Sequence, residues 1–463
     1  MREALNAFAR HAGADPGRIA LIDADGALSY GALLAAVRGT AAALTGERGA
    51  VGVLAPKTRQ GVIWLLALAW AGRRAVPLPE FFSAEQWAHL AADAALSAVL
   101  APPEAAAVAA LGLPSLQPLA AGSGPEAPVG GASWVIYTSG TTGRPKGVLL
   151  GERQLDASIA ALAEASGGGA DDRMLSVLPF ALLLELVAGL ALPLSVGASV
   201  VLCAEPRQMV RTAALHRPSA TVLVPDLLAA WVAALDAGQA PRPEGLRFVA
   251  VGGAAVPPRL ADRAWALGLP VYEGYGLSEC CSVVAVNRPG ARAAGTVGLP
   301  LPGLAVSIER GEIVVRGPTV MEGYLGGTPA RGCRHTGDAG YFDAEGHLVV
   351  EGRIDDVIVT SAGRNLHPEW IEAMLLEDPR LARCAVVAGG SHPRAVLVPA
   401  RQDLLSAAEV EPLVARLTAA APDYARPRRN LLMSDADLLH RGLMTGGGRL
   451  RRRAIAAYLE TLS

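Results

Sequence analysis

Residues 137–148 read Y-T-S-G-T-T-G-R-P-K-G-V, and the stretch that leads into them, Trp134-Val135-Ile136-Tyr137, is apolar and strand-like. This pairing constrains the fold strongly, because it sets a strand directly before a turn built to hold an anion. Thr138 opens the turn; Gly140 and Gly143, the hydroxyls of Ser139, Thr141 and Thr142, and Lys146 follow within a few residues. Glycines let backbone N–H groups converge on an anion, hydroxyls add donors and the lysine adds charge, a composition that suits a polyphosphate. The Walker spacing G-x-x-x-x-G-K-[ST] is absent, since Arg144 and Pro145 separate Gly143 from Lys146 and Gly147 follows the lysine. The alternative is a Gly/Thr-rich surface turn.

At 463 residues, 51% hydrophobic and 18% charged, the chain can bury a large core and has the length of more than one domain. A net charge of -2 gives no electrostatic case for nucleic acid or an anionic membrane. Of 41 basic residues only Lys57 and Lys146 are lysines, so one of the two lies in the anion loop. Cys203, Cys280, Cys281, Cys333 and Cys384 show no C-x-x-C spacing, which predicts reduced thiols and no metal cage. The first residues lack the apolar core of a signal peptide, and the expected location is cytoplasmic. Residues 174–204 are the one candidate membrane span, with Glu185 as the only charge. Pro179, Gly189, Pro193 and Gly197 interrupt them, which predicts buried strand, helix and buried strand.

Residues 49–55, 60–71 and 75–78 read as strand, helix and strand, the signature of a βαβ unit. Residues 120–133, rich in Gly, Pro and Ala, read as a linker that delivers the strand before the loop. Helical character returns over 152–165, and strands are expected over 175–179, 221–225 and 246–251. The last of these ends in a small-residue turn, Gly252-Gly253-Ala254-Ala255. Residues 271–280 read V-Y-E-G-Y-G-L-S-E-C, and residues 335–338 read H-T-G-D, with G-R-I-D-D at 352–356.

Together these motifs closely resemble those of the adenylate-forming, AMP-binding superfamily, which includes acyl-CoA synthetases, luciferases and peptide-synthetase adenylation domains. The resemblance runs from about residue 20 onward and implies an α/β fold. It would comprise a large N-terminal domain over 1–353, of mixed sheets layered with helices plus a small β subdomain, and a small mobile α+β domain over 354–463. The N-terminal region is shorter than in many relatives. Residues 295–300 and 311–317 would belong to the small β subdomain.

For the site, the resemblance implies that residues 138–143 and Lys146 cradle the phosphates of ATP. The turn at Gly253 and Ala254 would lie flat against adenine, where only small side chains permit close approach; an ordinary strand-to-helix turn is the alternative. Tyr275 would stack near adenine, Ser278 would meet phosphate and Glu279 would hold Mg²⁺, a hard ion that requires an anionic oxygen. Asp338 would chelate the ribose hydroxyls, with Arg353 near ribose or phosphate. Asp355 would be the hinge between the domains, and Gly363, within S-A-G-R-N-L-H-P-E-W-I-E at 361–372, would approach the thiol acceptor. Pro368 followed by Glu369 and Glu372 is also plain helix-start chemistry.

Two departures from the family pattern bear on substrate and chemistry. The region that borders the acyl pocket in relatives is here 182–186 with Val224 and Pro225, of which Leu182, Leu183 and Val224 are the expected pocket residues. It lacks the family's histidine, and no aspartate lies between Arg173 and Met209 to hold an α-amine. An apolar acid without an amine is expected; Glu185 could substitute for the aspartate, or be paired or solvent-facing. The family's C-terminal catalytic lysine is replaced: residues 444–453 read M-T-G-G-G-R-L-R-R-R, with Arg449 at that position. Arginine keeps the charge in a wider planar fork, and Arg449 is otherwise part of a solvated basic run.

The implied function is an ATP-dependent acid–thiol ligase with Lys146, Glu279 and Arg449 as its catalytic groups. It would activate a fatty or aryl acid as the acyl-adenylate and transfer it to coenzyme A. The alternatives are a ligase that loads the phosphopantetheine of an acyl carrier protein, and a non-catalytic nucleotide- or acyl-binding homologue.

Overall fold

The structure, a computed structural model, describes residues 1–45, 49–103, 105, 108, 110–116, 124–138, 145–359, 364–401, 403–445 and 448–462. Chain contacts divide it into two compact units. The first comprises Met1–Ala254, Arg263–Ser307 and Val314–Arg334; the second comprises Ala255–Asp262, Ile308–Ile313 and His335–Ser463.

The first unit is built on two sheets. One has six strands, in the order Gly323–Tyr324, Lys146–Gly151, Ser133–Thr138, Arg74–Pro77, Ala50–Val53 and Leu96–Leu100. The expected βαβ unit lies here: Ala50–Val53 and Arg74–Pro77 pair in parallel through the helix Arg59–Trp70. That helix is apolar on all sides and buried from Gly61 to Trp70, as a helix covered on every face must be. Ser133–Thr138 and Lys146–Gly151 run antiparallel over six register pairs, from Ser133↔Gly151 to Thr138↔Lys146. Within residues 120–133 the chain is described only from 124, and there it has no regular structure until the strand begins.

The other sheet has nine strands. Its parallel centre is Val271–Tyr275, Phe248–Val251, Ala220–Leu223, Arg173–Ser176, Ser199–Leu202 and Ile19–Asp23, and antiparallel strands sit at both edges. Residues 174–204 fold as expected into strand, helix and strand, with a π-helix at Glu185–Ala191 that continues into an α-turn at Leu192–Ser195. Among the described residues no helix is long and apolar enough to cross a membrane. The fold is the mixed α/β arrangement the sequence implies, with large sheets layered with helices. Residues 311–317 form the strand Glu312–Arg316 of a separate four-stranded sheet.

In the second unit, Leu381–Val387, Arg394–Pro399 and Leu431–Leu432 make a three-stranded sheet. Alternation decides its layering. Cys384, Val386, Ala395 and Leu397 face the helices Pro368–Leu375 and Ala407–Leu417, whereas Ala385, Val387, Val396 and Val398 face Asp435–His440 and Arg452–Thr461. Ile371 and Leu375 are wholly buried against the first face, each stabilising by about 1.5–3 kcal/mol.

Candidate active site

The hairpin that carries the anion loop fixes the first group. Residues 139–144 lie outside the described residues, but the strands on either side do not. Thr138 ends one strand and Lys146 begins the next, and the two are register partners. Gly323–Tyr324 pairs antiparallel with the Lys146 strand, placing Tyr324 opposite Val148. Side chains two apart on a strand share a face, so Tyr324 is a diagonal neighbour of Lys146, whose exposed ammonium is 5.6 Å from the phenol ring centre.

Around Tyr324 the polar groups converge. Its hydroxyl donates to Glu279 Oε1 at 2.7 Å, and Arg334 Nη2 donates to that hydroxyl at 3.1 Å and lies 3.6 Å from the same carboxylate oxygen. Glu279 is held in the short 3-10 turn Ser278–Cys280 that follows the strand Val271–Tyr275. Burial pushes the Tyr324 phenol up to about 12, reinforced by Glu279 and opposed by Arg334, so at neutral pH it is a donor. Tyr324 and Arg334 were missed in the sequence. Their signal is a register, not a motif, although Tyr324 lies in the run M-E-G-Y-L.

Among the described residues no three His, Cys, Asp or Glu side chains group to hold a metal. A lone, largely buried carboxylate at Glu279 nevertheless fits magnesium, which takes one or two carboxylates and draws its other ligands from phosphate and water.

Gly252 to Ala255 follow the strand Phe248–Val251 as the expected turn, and Gly253 has φ +86°, a backbone conformation open to glycine at little cost. Gly253 and Ala254 are exposed, and Tyr275 and Ser278 are half-buried. Gly252, Gly253, Tyr275 and Ser278 line a cavity of about 260 Å³. Leu182, Leu183 and Val224 line it as well, and so do Leu184 and Ala188.

Three of the residues expected on this wall are not there. Glu185, Leu186 and Pro225 do not line the cavity. Pro225 instead opens the helix Pro225–Asp236, and Leu186 packs in the core. Glu185 is wholly buried, its Oε1 accepting from Lys57 Nζ at 2.5 Å and from Ser176 Oγ. Lys57 also donates to the Leu178 carbonyl at 2.6 Å and lies 3.9 Å from the Phe180 ring centre. Burial pushes the Lys57 ammonium down from its usual range, and the Glu185 charge opposes that shift. A Cβ at Gly189 would sit 2.6 Å from the Glu185 carboxylate carbon, so the glycine one turn on makes room for this pair. Glu185 therefore has a structural partner and does not serve as an ammonium site.

The second unit carries the remaining expected residues. Asp338 and Arg353 are register partners on antiparallel strands, and Arg353 Nη1 donates to Asp338 Oδ1 at 2.9 Å and to the Thr336 carbonyl at 3.0 Å. Asp355 lies in the 3-10 turn Ile354–Asp356 and is exposed. Gly363 lies outside the described residues. Arg449 is exposed; its N–H donates to Thr445 Oγ1 at 3.0 Å and its carbonyl accepts from Thr445 N–H at 2.8 Å.

The basic run beside it is not uniformly solvated. Arg452 is largely buried, donating to Glu369 Oε1 at 3.1 Å, Glu372 Oε2 at 3.2 Å, Asp356 Oδ2 at 3.3 Å and the Val386 carbonyl at 2.8 Å. Glu369 and Glu372 thus do more than start a helix: they hold this guanidinium, and Glu372 also accepts from Val386 N–H at 2.6 Å.

The first unit thus holds a cluster of lysine, tyrosine, carboxylate and arginine and an apolar cavity, groups suited to an anion and to an apolar ligand. The AMP-binding enzyme family model matches residues 8–325. The chain is 31% identical to indoleacetate–CoA ligase of Aromatoleum aromaticum, over 87% of this chain and 89% of that protein. It is 32% identical to a feruloyl-CoA synthase of an Amycolatopsis species, over 73% and 75%. Among solved structures it resembles O-succinylbenzoate coenzyme A synthetase of Bacillus subtilis in complex with ATP and magnesium ion, with a TM-score of 0.82, 26% identity, and coverage of 97% of this chain and 98% of that one. The chain belongs to the AMP-binding enzyme family and is an AMP-forming acid ligase. It binds ATP.

Proposed function

We propose that the chain joins an apolar carboxylic acid, fatty or aryl, to coenzyme A through an acyl-adenylate. The observation that carries this reading is the Lys146–Tyr324–Glu279–Arg334 cluster in the same unit as a cavity walled by Leu182, Leu183, Leu184 and Val224. In the first half-reaction the substrate carboxylate attacks the α-phosphorus of ATP and pyrophosphate leaves. In the second, the thiol attacks the acyl carbon, forming the thioester and releasing AMP.

Positioning and charge neutralisation do most of the work in such a reaction. Residues 138–143 and Lys146 hold the triphosphate, and Ser278 meets phosphate. Gly253, Ala254 and Tyr275 bound the adenine. Tyr324 and Arg334 orient the Glu279 carboxylate, which would hold magnesium; the ion would supply charge neutralisation at the phosphates. Asp338 takes the ribose hydroxyls, with Arg353 as its ion-pair partner. Arg449 supplies the charge that relatives draw from a lysine. The C-terminal domain begins at 354 and turns about Asp355, bringing Gly363 toward the thiol. The acid relatives named above support an acid with no amine. The cysteines, which form no disulfide among the described residues, support a reducing, cytoplasmic setting.

The test is pyrophosphate release by the purified protein across aliphatic, aryl and amino acids, followed by detection of acyl-CoA when coenzyme A is added. Aliphatic or aryl acids should drive release and amino acids should not. A thioester formed on a carrier protein but not on coenzyme A would replace the acceptor, and no release with any acid would overturn the reading.

A further inference from the structure

The helix Ala84–Asp93 lies outside the motifs of the site, yet two of its polar side chains reach both sides of the hairpin that carries the anion loop. The helix itself is firmly placed. Ser83 caps it, its hydroxyl accepting from Gln86 N–H at 3.3 Å while the Gln86 side chain accepts from Ser83 N–H at 2.9 Å. Trp87 and Leu90 are buried in one cluster with Val76, Leu78, Val135 and Tyr137, and Trp87 Nε1 donates to the Pro79 carbonyl at 2.8 Å.

His89 and Asp93 stand one turn apart on this helix. His89 Nε2 donates to the Pro145 carbonyl at 3.0 Å, and Asp93 Oδ2 accepts from the Tyr137 hydroxyl at 2.7 Å. Tyr137 directly precedes Thr138, and Pro145 directly precedes Lys146. A single helical turn is therefore bonded to the chain just before each of these two register partners.

Tyr137 is built for its bond. Its ring is buried against its own register partner, Gly147, where an added Cβ would come within 3.1 Å of the ring Cζ and 3.3 Å of the hydroxyl oxygen. Glycine at 147 thus leaves the ring room to reach Asp93. Burial pushes the phenol up from its ordinary range and Asp93 adds to the shift, so at neutral pH the hydroxyl keeps the proton it donates.

We infer that His89 and Asp93 are positioning residues for the nucleotide: through Pro145 and Tyr137 they set Lys146 and Thr138 in the arrangement that takes the terminal phosphates of ATP. This rests on the placement of the triphosphate in the ligase reading and deepens it. Groups held in place before the ligand arrives do not have to be ordered by it, and affinity gains accordingly. The gain is selective. AMP lacks the two terminal phosphates, so displacing Lys146 weakens ATP and spares AMP, whereas damage to the fold weakens both.

The experiment is equilibrium titration of the purified chain with magnesium and α,β-methylene-ATP, and separately with AMP, which needs no turnover. Asp93→Ala, Tyr137→Phe and His89→Ala should each weaken the ATP analogue about fivefold to tenfold, with AMP affinity within about twofold of wild type. Asp93 is exposed, so its variant keeps the fold. Asp93→Ala combined with Tyr137→Phe should lose no more than either alone, because both remove the same bond. His89→Gln, whose amide nitrogen can donate in place of Nε2, should recover most of the loss seen in His89→Ala. In turnover, KM for MgATP should rise by the same factor and KM for the acid should not. Unchanged affinity for the ATP analogue in all three single variants, or equal weakening of the analogue and AMP, overturns the inference while leaving the ligase intact. A wild type that releases no pyrophosphate with any acid would instead remove the ligase reading, and the two titrations would still decide the role of the helix.

Discussion

Lys146 is exposed at the head of its strand, with its ammonium 5.6 Å from the Tyr324 ring centre. Its removal should leave the fold intact and impair use of MgATP. A hydrogen bond to a charged group contributes about 1.5–3 kcal/mol, so Lys146→Ala should lower kcat/KM for MgATP roughly tenfold to a hundredfold. Unchanged kinetics in the variant would remove Lys146 from the site. At this scale the sequence offers candidates where chemistry is packed into a contiguous run, as at 137–148, 275–279 and 335–338. It was silent on Arg334, whose part depends on reaching Glu279 across 55 residues of chain.

The wall of the cavity depends on an element whose irregularity could not be read in advance. The π-helix at Glu185–Ala191 carries a buried carboxylate tied to Lys57, the other of the chain's two lysines. Breaking a buried pair from one side costs about 3–5 kcal/mol, whereas replacing both partners with apolar groups is far milder. Lys57→Met should therefore shift the denaturant midpoint strongly downward, and adding Glu185→Leu should recover most of the loss. Equal destabilisation by the single and the double variant would contradict the pairing. Strands and helices themselves were legible from period and punctuation, because Pro179, Gly189, Pro193 and Gly197 rule out a continuous span. The partner of Glu185 was not, since it lies 128 residues away.

In the second unit the helix Pro368–Leu375 and the C-terminal helix share one guanidinium among three carboxylates. Burial pushes the Glu369 carboxyl up to about 7; Arg452 opposes the shift, and Glu372 and Asp356 add to it. The folded chain thus keeps a proton that the unfolded chain has already released, starting near the ordinary value of 4.5. Between those values the unfolded state binds fewer protons, so stability falls as pH rises from about 4.5 through about 7. Glu369→Gln should flatten this decline, by up to about 3 kcal/mol between pH 5 and pH 8. Unfolding midpoints of both proteins at the two pH values measure it, and parallel declines would refute the assignment.

Across the whole molecule, the proposed chemistry draws Lys146 and Glu279 from one unit and Arg449 from the other. If Arg449 does the work of a lysine in forming the adenylate, its loss should be confined to that half-reaction. Arg449→Ala should slow pyrophosphate release about a hundredfold or more, a few kcal/mol of transition-state contact. Thioester formation from supplied acyl-adenylate should stay near wild type. Equal loss in both assays would assign Arg449 a structural part, and loss in neither would remove it from the reaction. The burial of Arg452 beside an exposed Arg449 was not legible in the sequence, because both stand in one basic run.

The central claim is that this chain makes an acyl-adenylate and passes the acyl group to coenzyme A. The most direct measurement is product analysis of the purified wild-type protein with its preferred aliphatic or aryl acid, ATP and magnesium, before and after coenzyme A is added. Before the addition, up to one equivalent of pyrophosphate per protein should appear with enzyme-bound acyl-AMP. After it, AMP and acyl-CoA should accumulate in equal amounts through many turnovers. Formation of ADP and phosphate, or of acyl-CoA without AMP, would contradict the account.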